Sequence, residues 1–144
     1  MNQVSNRLAA LAPSQTLAMS QKSNELKAQG VDVINLSVGE PDFTTPEHIK
    51  EAAKKAIDDN FSFYSPVPGY LDLRKAICGK LQRENGLEFT PEQIVVSNGA
   101  KQSICNAVLS LVNPGDEVII PAPYWVSYVE MVKLAEGTNV IVPA

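Results

Sequence analysis

The run Val96-Ser97-Asn98-Gly99-Ala100-Lys101 joins an apolar stretch to a helical pattern, an arrangement that suits an anion. A glycine lets a phosphate approach the backbone, the first-turn N–H groups of the helix point outward at it, and the helix dipole favours negative charge. The same glycine also serves a tight strand-to-helix turn that needs it only for packing. Trp125 follows the carboxyl end of another apolar stretch, Val118-Ile119-Ile120, and that edge is where open α/β sheets bind ligands. Its indole can stack on a flat ring or fill a gap between helix and sheet. Tyr64 stands in a proline-rich loop, where its hydroxyl can reach a phosphate or rest in water. Gly39, within Val38-Gly39-Glu40-Pro41, is either a turn former or a point where a backbone N–H meets substrate. Glu40 and Asp42 read as a solvated loop pair, His48 as surface, and Cys78 and Cys105 as small apolar fillers. The lone histidine and the lack of a Cys-x-x-Cys speak against a zinc site of the usual spacing. Without a Gly-x-Gly-x-x-Gly or Walker pattern, nucleotides gain no support.

The elements that must position these residues change character along the chain. Helices joined by Pro/Gly turns fill residues 1–90, and strand alternates with helix from 94 to 142. A first helix is expected over 14–29, with Gly30 just beyond it; its apolar face is weak. Residues 31–38 read as a short strand. Thr45 is placed to cap a second helix with Pro46 at its first position, and Ile49, Ala52, Ala53, Ala56 and Ile57 form one stripe on it. A third helix spans 70–85 and ends at Gly86. Thr90-Pro91-Glu92-Gln93 matches a capping box. Ile94–Val96, Val118–Ile120 and Val140–Val142 read as buried strands, separated by helices over 101–112 and 124–135. This is β-α-β-α-β, and such crossovers give parallel pairing.

Composition bounds the function. The chain has 144 residues with 44% hydrophobic and 19% charged side chains, the balance of a folded globular protein rather than a disordered or fibrous one. A net charge of −4 gives no basic face for nucleic acid. No stretch reaches the roughly 20 apolar residues that span a membrane, and the N-terminus makes a poor signal peptide. Two cysteines inside helical patterns fit a reduced, cytoplasmic protein.

Four blocks then fall in one order. Asn35-Leu-Ser-Val-Gly-Glu-Pro-Asp-Phe-Thr-Thr-Pro, Tyr64-Ser-Pro-Val-Pro-Gly-Tyr-Leu-Asp-Leu-Arg, Val96-Ser-Asn-Gly-Ala-Lys-Gln and Asn113-Pro-Gly-Asp-Glu-Val-Ile-Ile-Pro-Ala-Pro-Tyr-Trp resemble the N-terminal part of class I pyridoxal-phosphate aminotransferases. The last two look most like bacterial aspartate aminotransferases. The resemblance implies a fold type I, aspartate aminotransferase-like α/β large domain. In it, residues 1–45 are an N-terminal arm, first helix and lead-in segment, and 46–144 the first, incomplete part of the cofactor-binding domain. It implies that backbone N–H groups of Gly99, Ala100 and Lys101 hold the phosphate of pyridoxal 5′-phosphate. Trp125 would stack on the pyridine ring, and Tyr64 would reach the phosphate of the neighbouring subunit of a homodimer. Gly39 and Trp125 would contact the amino-acid substrate. Many relatives carry Ser or Thr where this chain has Lys101, which supplies a cation near the phosphate instead.

The implied reaction moves an amino group between an L-amino acid, aspartate foremost, and a 2-oxo acid in ping-pong fashion. The family's lysine that forms the Schiff base and moves the proton, its aspartate on the pyridinium nitrogen and its arginine on the α-carboxylate all come later in a longer chain. None of the nine lysines here has that context, so this chain by itself is expected to be inactive. The alternative is a non-catalytic chain that binds phosphate or dimerises. A free-standing flavodoxin-type domain is a third reading, opposed by the four blocks. In the family sheet, strands from later in the chain separate Ile94–Val96 from Val118–Ile120. Sheet edges and the apolar helix faces at 104–112 and 126–135 are therefore expected to lie uncovered and to favour association.

Overall fold

The computed structural model describes residues 4–144. Its helices are α1 (Asn6–Ala9), α2 (Gln15–Ala28), α3 (Glu47–Asp58), α4 (Leu71–Asn85), α5 (Gly99–Leu111) and α6 (Ser127–Leu134); its strands are β1 (Glu117–Ala122) and β2 (Thr138–Pro143). The chain divides into two compact units, one formed by the segment up to Glu40 with Ala100–Ala144, the other by Pro41–Gly99. The architecture is α/β.

In the first unit, β1 and β2 pair in parallel, with Glu117 opposite Thr138 and Ile120 opposite Ile141. Parallel strands need a crossover, and α6 supplies it. Its Met131 and Val132, with Ala135 just beyond and Ile120 of β1, are the buried apolar residues of the described chain. The face expected to be bare at 126–135 is thus largely covered: α6 packs on β2, β1 and α1. The cover comes from the chain's own sheet and N-terminal segment, which the helical periodicity alone does not show. The other expected bare face holds. On α5, Leu109 and Leu111 are exposed, and α5 packs on no other helix or strand among the described residues. The turn from α5 into β1 is tied by Asp116, whose carboxylate accepts the Asn113 backbone N–H at 2.7 Å and its side-chain amide at 3.0 Å. Gly137 sits where β2 begins. A Cβ there would stand 2.7 Å from Val112 Cγ1 and 3.2 Å from the Asp116 carbonyl, so the absence of a side chain permits this approach.

The second unit is organised by Arg74 on α4. Its guanidinium donates to the Gly69 carbonyl at 3.1 Å and to the Pro91 carbonyl at 2.7 Å. The latter opens the 3₁₀ turn Pro91–Gln93, where the capping box at Thr90 forms as expected. Helix α3 begins one residue later than expected, with Pro46 itself at the cap and no side-chain bond.

Two expected strands do not form. Residues 31–38 lie outside any strand, because the Asn35 side chain accepts both the Ser37 N–H at 3.0 Å and the Ser37 hydroxyl at 2.6 Å, closing a local turn. Ile94–Val96 is extended but unladdered: the Val96 N–H donates to the Pro68 carbonyl at 3.0 Å, and Val95 is exposed. A strand needs a ladder of such bonds, and among the described residues only β1 and β2 form one. The sheet is therefore β-α-β where the pattern read β-α-β-α-β. Helix α6 starts at Ser127 rather than 124, since the Tyr128 N–H closes a turn on the Trp125 carbonyl at 3.0 Å.

Candidate functional site

The start of α5 keeps the glycine turn expected there, but no strand precedes it and the helix begins at Gly99 rather than 101. Gly99 takes φ +79°, a left-handed conformation that L side chains rarely adopt, and a Cβ there would meet nothing within 4 Å. Glycine is required by the backbone angle, not by crowding. Its N–H donates to the Ser97 carbonyl at 2.9 Å. Ala100 and Lys101 follow in the first turn, where N–H groups have no intrahelical acceptor.

Lys101 then turns its ammonium over the Trp125 ring, 5.9 Å from the centroid. Such a contact is worth about 0.5–1 kcal/mol at an exposed site, little enough for an anion to recruit the ammonium away. Trp125 is 48% exposed, so its ring is open to a ligand. The two residues line a cleft of about 550 Å³ with Leu17, Tyr124, Glu130 and Leu134. A cation and an open indole face in one cleft, with Lys101 itself in the first turn of α5, fit a ligand that joins an anionic group to a flat ring. The chain holds that donor set within the span 100–125.

The other expected site residues lie elsewhere. Gly39 belongs to the same unit but is exposed and does not line the cleft. Tyr64 lies in the second unit, with its side chain fully exposed. His48 is exposed, and Cys78 and Cys105 are half-buried free thiols.

The sequence reading missed Glu130. Its carboxylate accepts the Ala12 backbone N–H at 2.9 Å and the Lys133 ammonium at 2.8 Å. The Lys133 hydrogen bond chiefly holds its carboxyl below the ordinary glutamate range; burial opposes it, and the Ala12 amide adds a smaller lowering. The Glu130–Lys133 spacing is visible in the sequence. The Ala12 contact is not, because 118 residues separate its ends.

A model of the family described as aminotransferase class I and II matches residues 31–144. Over 141 residues the chain is 56% identical to an aspartate aminotransferase of Pinus pinaster, covering 97% of this chain and 29% of that protein. It is also 56% identical over 141 residues to an aspartate/prephenate aminotransferase of Cereibacter sphaeroides, covering 98% and 35%. The structure is similar to that of the Thermus thermophilus aspartate aminotransferase with maleate, at a TM-score of 0.95 and 48% identity, over 99% of this chain and 37% of that one. An alanine aminotransferase from Pyrococcus furiosus superposes at 0.90 with 32% identity, over 98% and 36%. The chain thus spans about a third of the length of these relatives. No helix among the described residues is long and apolar enough to cross a membrane. By sequence and by fold, the chain belongs to the class I and II aminotransferases.

Proposed function

We propose that this chain carries the phosphate- and ring-binding part of the pyridoxal 5′-phosphate site of a cytoplasmic, homodimeric aminotransferase. Its substrates are L-amino acids, aspartate foremost, and 2-oxo acids. The observation that carries this is the Lys101 ammonium poised over Trp125 at the start of α5. Ala100 and Lys101 offer first-turn N–H groups to the phosphate, and Gly99 holds the backbone angle that opens them and adds its own N–H once it leaves Ser97. The Lys101 ammonium moves from the indole to the phosphate and frees the ring face. Trp125 then orients the cofactor ring. The Gly39 backbone meets the amino acid, and Tyr64 reaches the phosphate of a second copy from its exposed loop. Bound there, pyridoxal phosphate supplies an electron-withdrawing ring that labilises bonds at an amino acid's α-carbon. Relatives named aspartate/prephenate aminotransferase make prephenate a further substrate to try.

Proton transfer at the α-carbon needs a lysine base in the family's context, and none of the nine lysines has it. The chain by itself is expected to bind but not to turn over. Pyridoxal phosphate titrated into the protein should quench Trp125, the single tryptophan, and raise the thermal midpoint. Lys101→Met should weaken binding about tenfold, the scale of one charge-assisted contact. With aspartate and a 2-oxo acid present, no oxaloacetate should form. An unchanged midpoint and emission at millimolar ligand defeat the binding reading, and turnover defeats the claim of inactivity.

A further inference from the structure

We propose that Glu130 is a positioning residue: by accepting the Ala12 N–H it clasps Leu11–Leu17 to α6 and sets that segment as one wall of the Trp125 cleft. Residues 11–17 line the cleft together with Lys101, residues 124–126 and a face of α6 that includes Glu130 and Leu134. The wall has few other anchors. Pro13 has no N–H, and the Ser14 side chain is spent on capping α2, accepting the Leu17 N–H at 3.3 Å. The Leu11 N–H turns back to the Leu8 carbonyl. Among the described residues α2 packs on no other helix or strand, and its one buried residue, Ser23, lies beyond the cleft-lining stretch. Ala12 is where the stretch between α1 and α2 is tied across to α6, at 2.9 Å.

Lys133 on the same helix holds the Glu130 carboxylate by its other oxygen at 2.8 Å, which fixes its direction. A second tie, Arg7 of α1 to Glu136 beyond α6 at 3.5 Å, joins more exposed side chains and contributes little by comparison. An exposed i,i+3 pair alone is worth a few tenths of a kcal/mol. A charged acceptor on a backbone amide is stronger, and this one spans 118 residues of chain. The clasp stands on these contacts; what the cleft holds rests on the function proposed above.

The test compares the chain with Glu130→Ala, Glu130→Gln and Ala12→Pro, the last removing the donor in place of the acceptor. Amide exchange at Ala12 should rise about tenfold in Glu130→Ala, the scale of one charge-assisted bond. Acrylamide quenching of Trp125 should rise in both Glu130→Ala and Ala12→Pro. The double variant should be no worse than either single one, since both cut the same bond. Glu130→Gln keeps an acceptor and should recover part of the protection. Exchange in β1 and β2 should stay unchanged throughout. Unchanged Trp125 quenching, additive effects, or loss of β1 and β2 protection would each overturn the proposal. Pyridoxal phosphate is the separate arm. If it quenches Trp125, Glu130→Ala should weaken its binding several-fold, and equal binding would overturn the positioning role. If it quenches neither protein, the function proposed above fails while the exchange and acrylamide results still decide the clasp.

Discussion

Asp116, Glu92 and Glu130 are the carboxyls whose acidity the structure displaces, and all three move downward. Hydrogen bonds from N–H or O–H donors are the leading cause in each case. They act as fixed acceptors that hold turns and segments. Asp116 shows the consequence for stability. Its ordinary value is 3.8, and the Asn113 backbone N–H, then its side-chain amide, lower it in the folded state. A depressed folded value means the unfolded chain takes up the proton first as pH falls. The contribution is therefore whole above the ordinary aspartate value and is lost as pH drops through the lowered one. Thermal midpoints measured from about pH 5 down to about pH 2 should fall along an acid limb. Asp116→Asn should flatten part of that limb and leave the rest to Glu92 and Glu130. An acid limb identical in the variant would show that the Asn113–Asp116 turn adds nothing.

At the scale of elements, Gly137 carries the sharpest expectation, because the β1–α6–β2 unit closes on it. Its φ is not left-handed, so replacement by alanine tests crowding alone. A Cβ would stand 2.7 Å from Val112 Cγ1 and 3.2 Å from both the Asp116 carbonyl and Val132 Cγ1. Val112 can swing aside, but the carbonyl cannot without disturbing the Thr138 N–H that it accepts at 2.8 Å. Gly137→Ala should lower stability by about 1–3 kcal/mol, as overpacking does, read as a drop in denaturant midpoint at constant slope. A change below about 0.5 kcal/mol would mean that the junction relaxes freely.

These elements also mark what the sequence made legible. The caps at Thr90 and Gly86 and the parallel β1–β2 pair were readable, because each depends on neighbours in sequence or on period. Residues 31–38 and 94–96 were not. Their composition favours strand, but a strand exists only with a partner, and partnership lies outside the window that periodicity examines. In the candidate site, the places of Gly99 at the start of α5 and of Trp125 just beyond β1 were legible from the junctions of apolar stretch and helical pattern. Glu130 was not, since its defining contact is to a backbone N–H that has no residue-type signature.

For the chain as a whole, the balance of covered and uncovered apolar surface decides behaviour in solution. Four apolar residues are buried among those described: Ile120, Met131, Val132 and Ala135. Against them, Leu109 and Leu111 on α5 and Ile119 on β1 stay exposed, Leu111 at 78% and Ile119 at 68%. The two-stranded sheet has an unpaired edge on each side among the described residues. Exposed apolar side chains beside open strand edges favour association. Sedimentation velocity over a tenfold range of concentration should therefore show larger species growing as concentration rises. Ile119→Lys places a charge on β1 without touching the residues that line the Trp125 cleft, and Leu111→Lys does the same at the end of α5. Each should shift the distribution towards monomer, and the pair should do so further. If both variants sediment like the parent, the α5 and β1 surfaces do not drive assembly. The exposed Phe63–Val67 loop around Tyr64 and the exposed Ile34, Leu36 and Phe43 are then the surfaces to vary next, beginning with Tyr64→Ala.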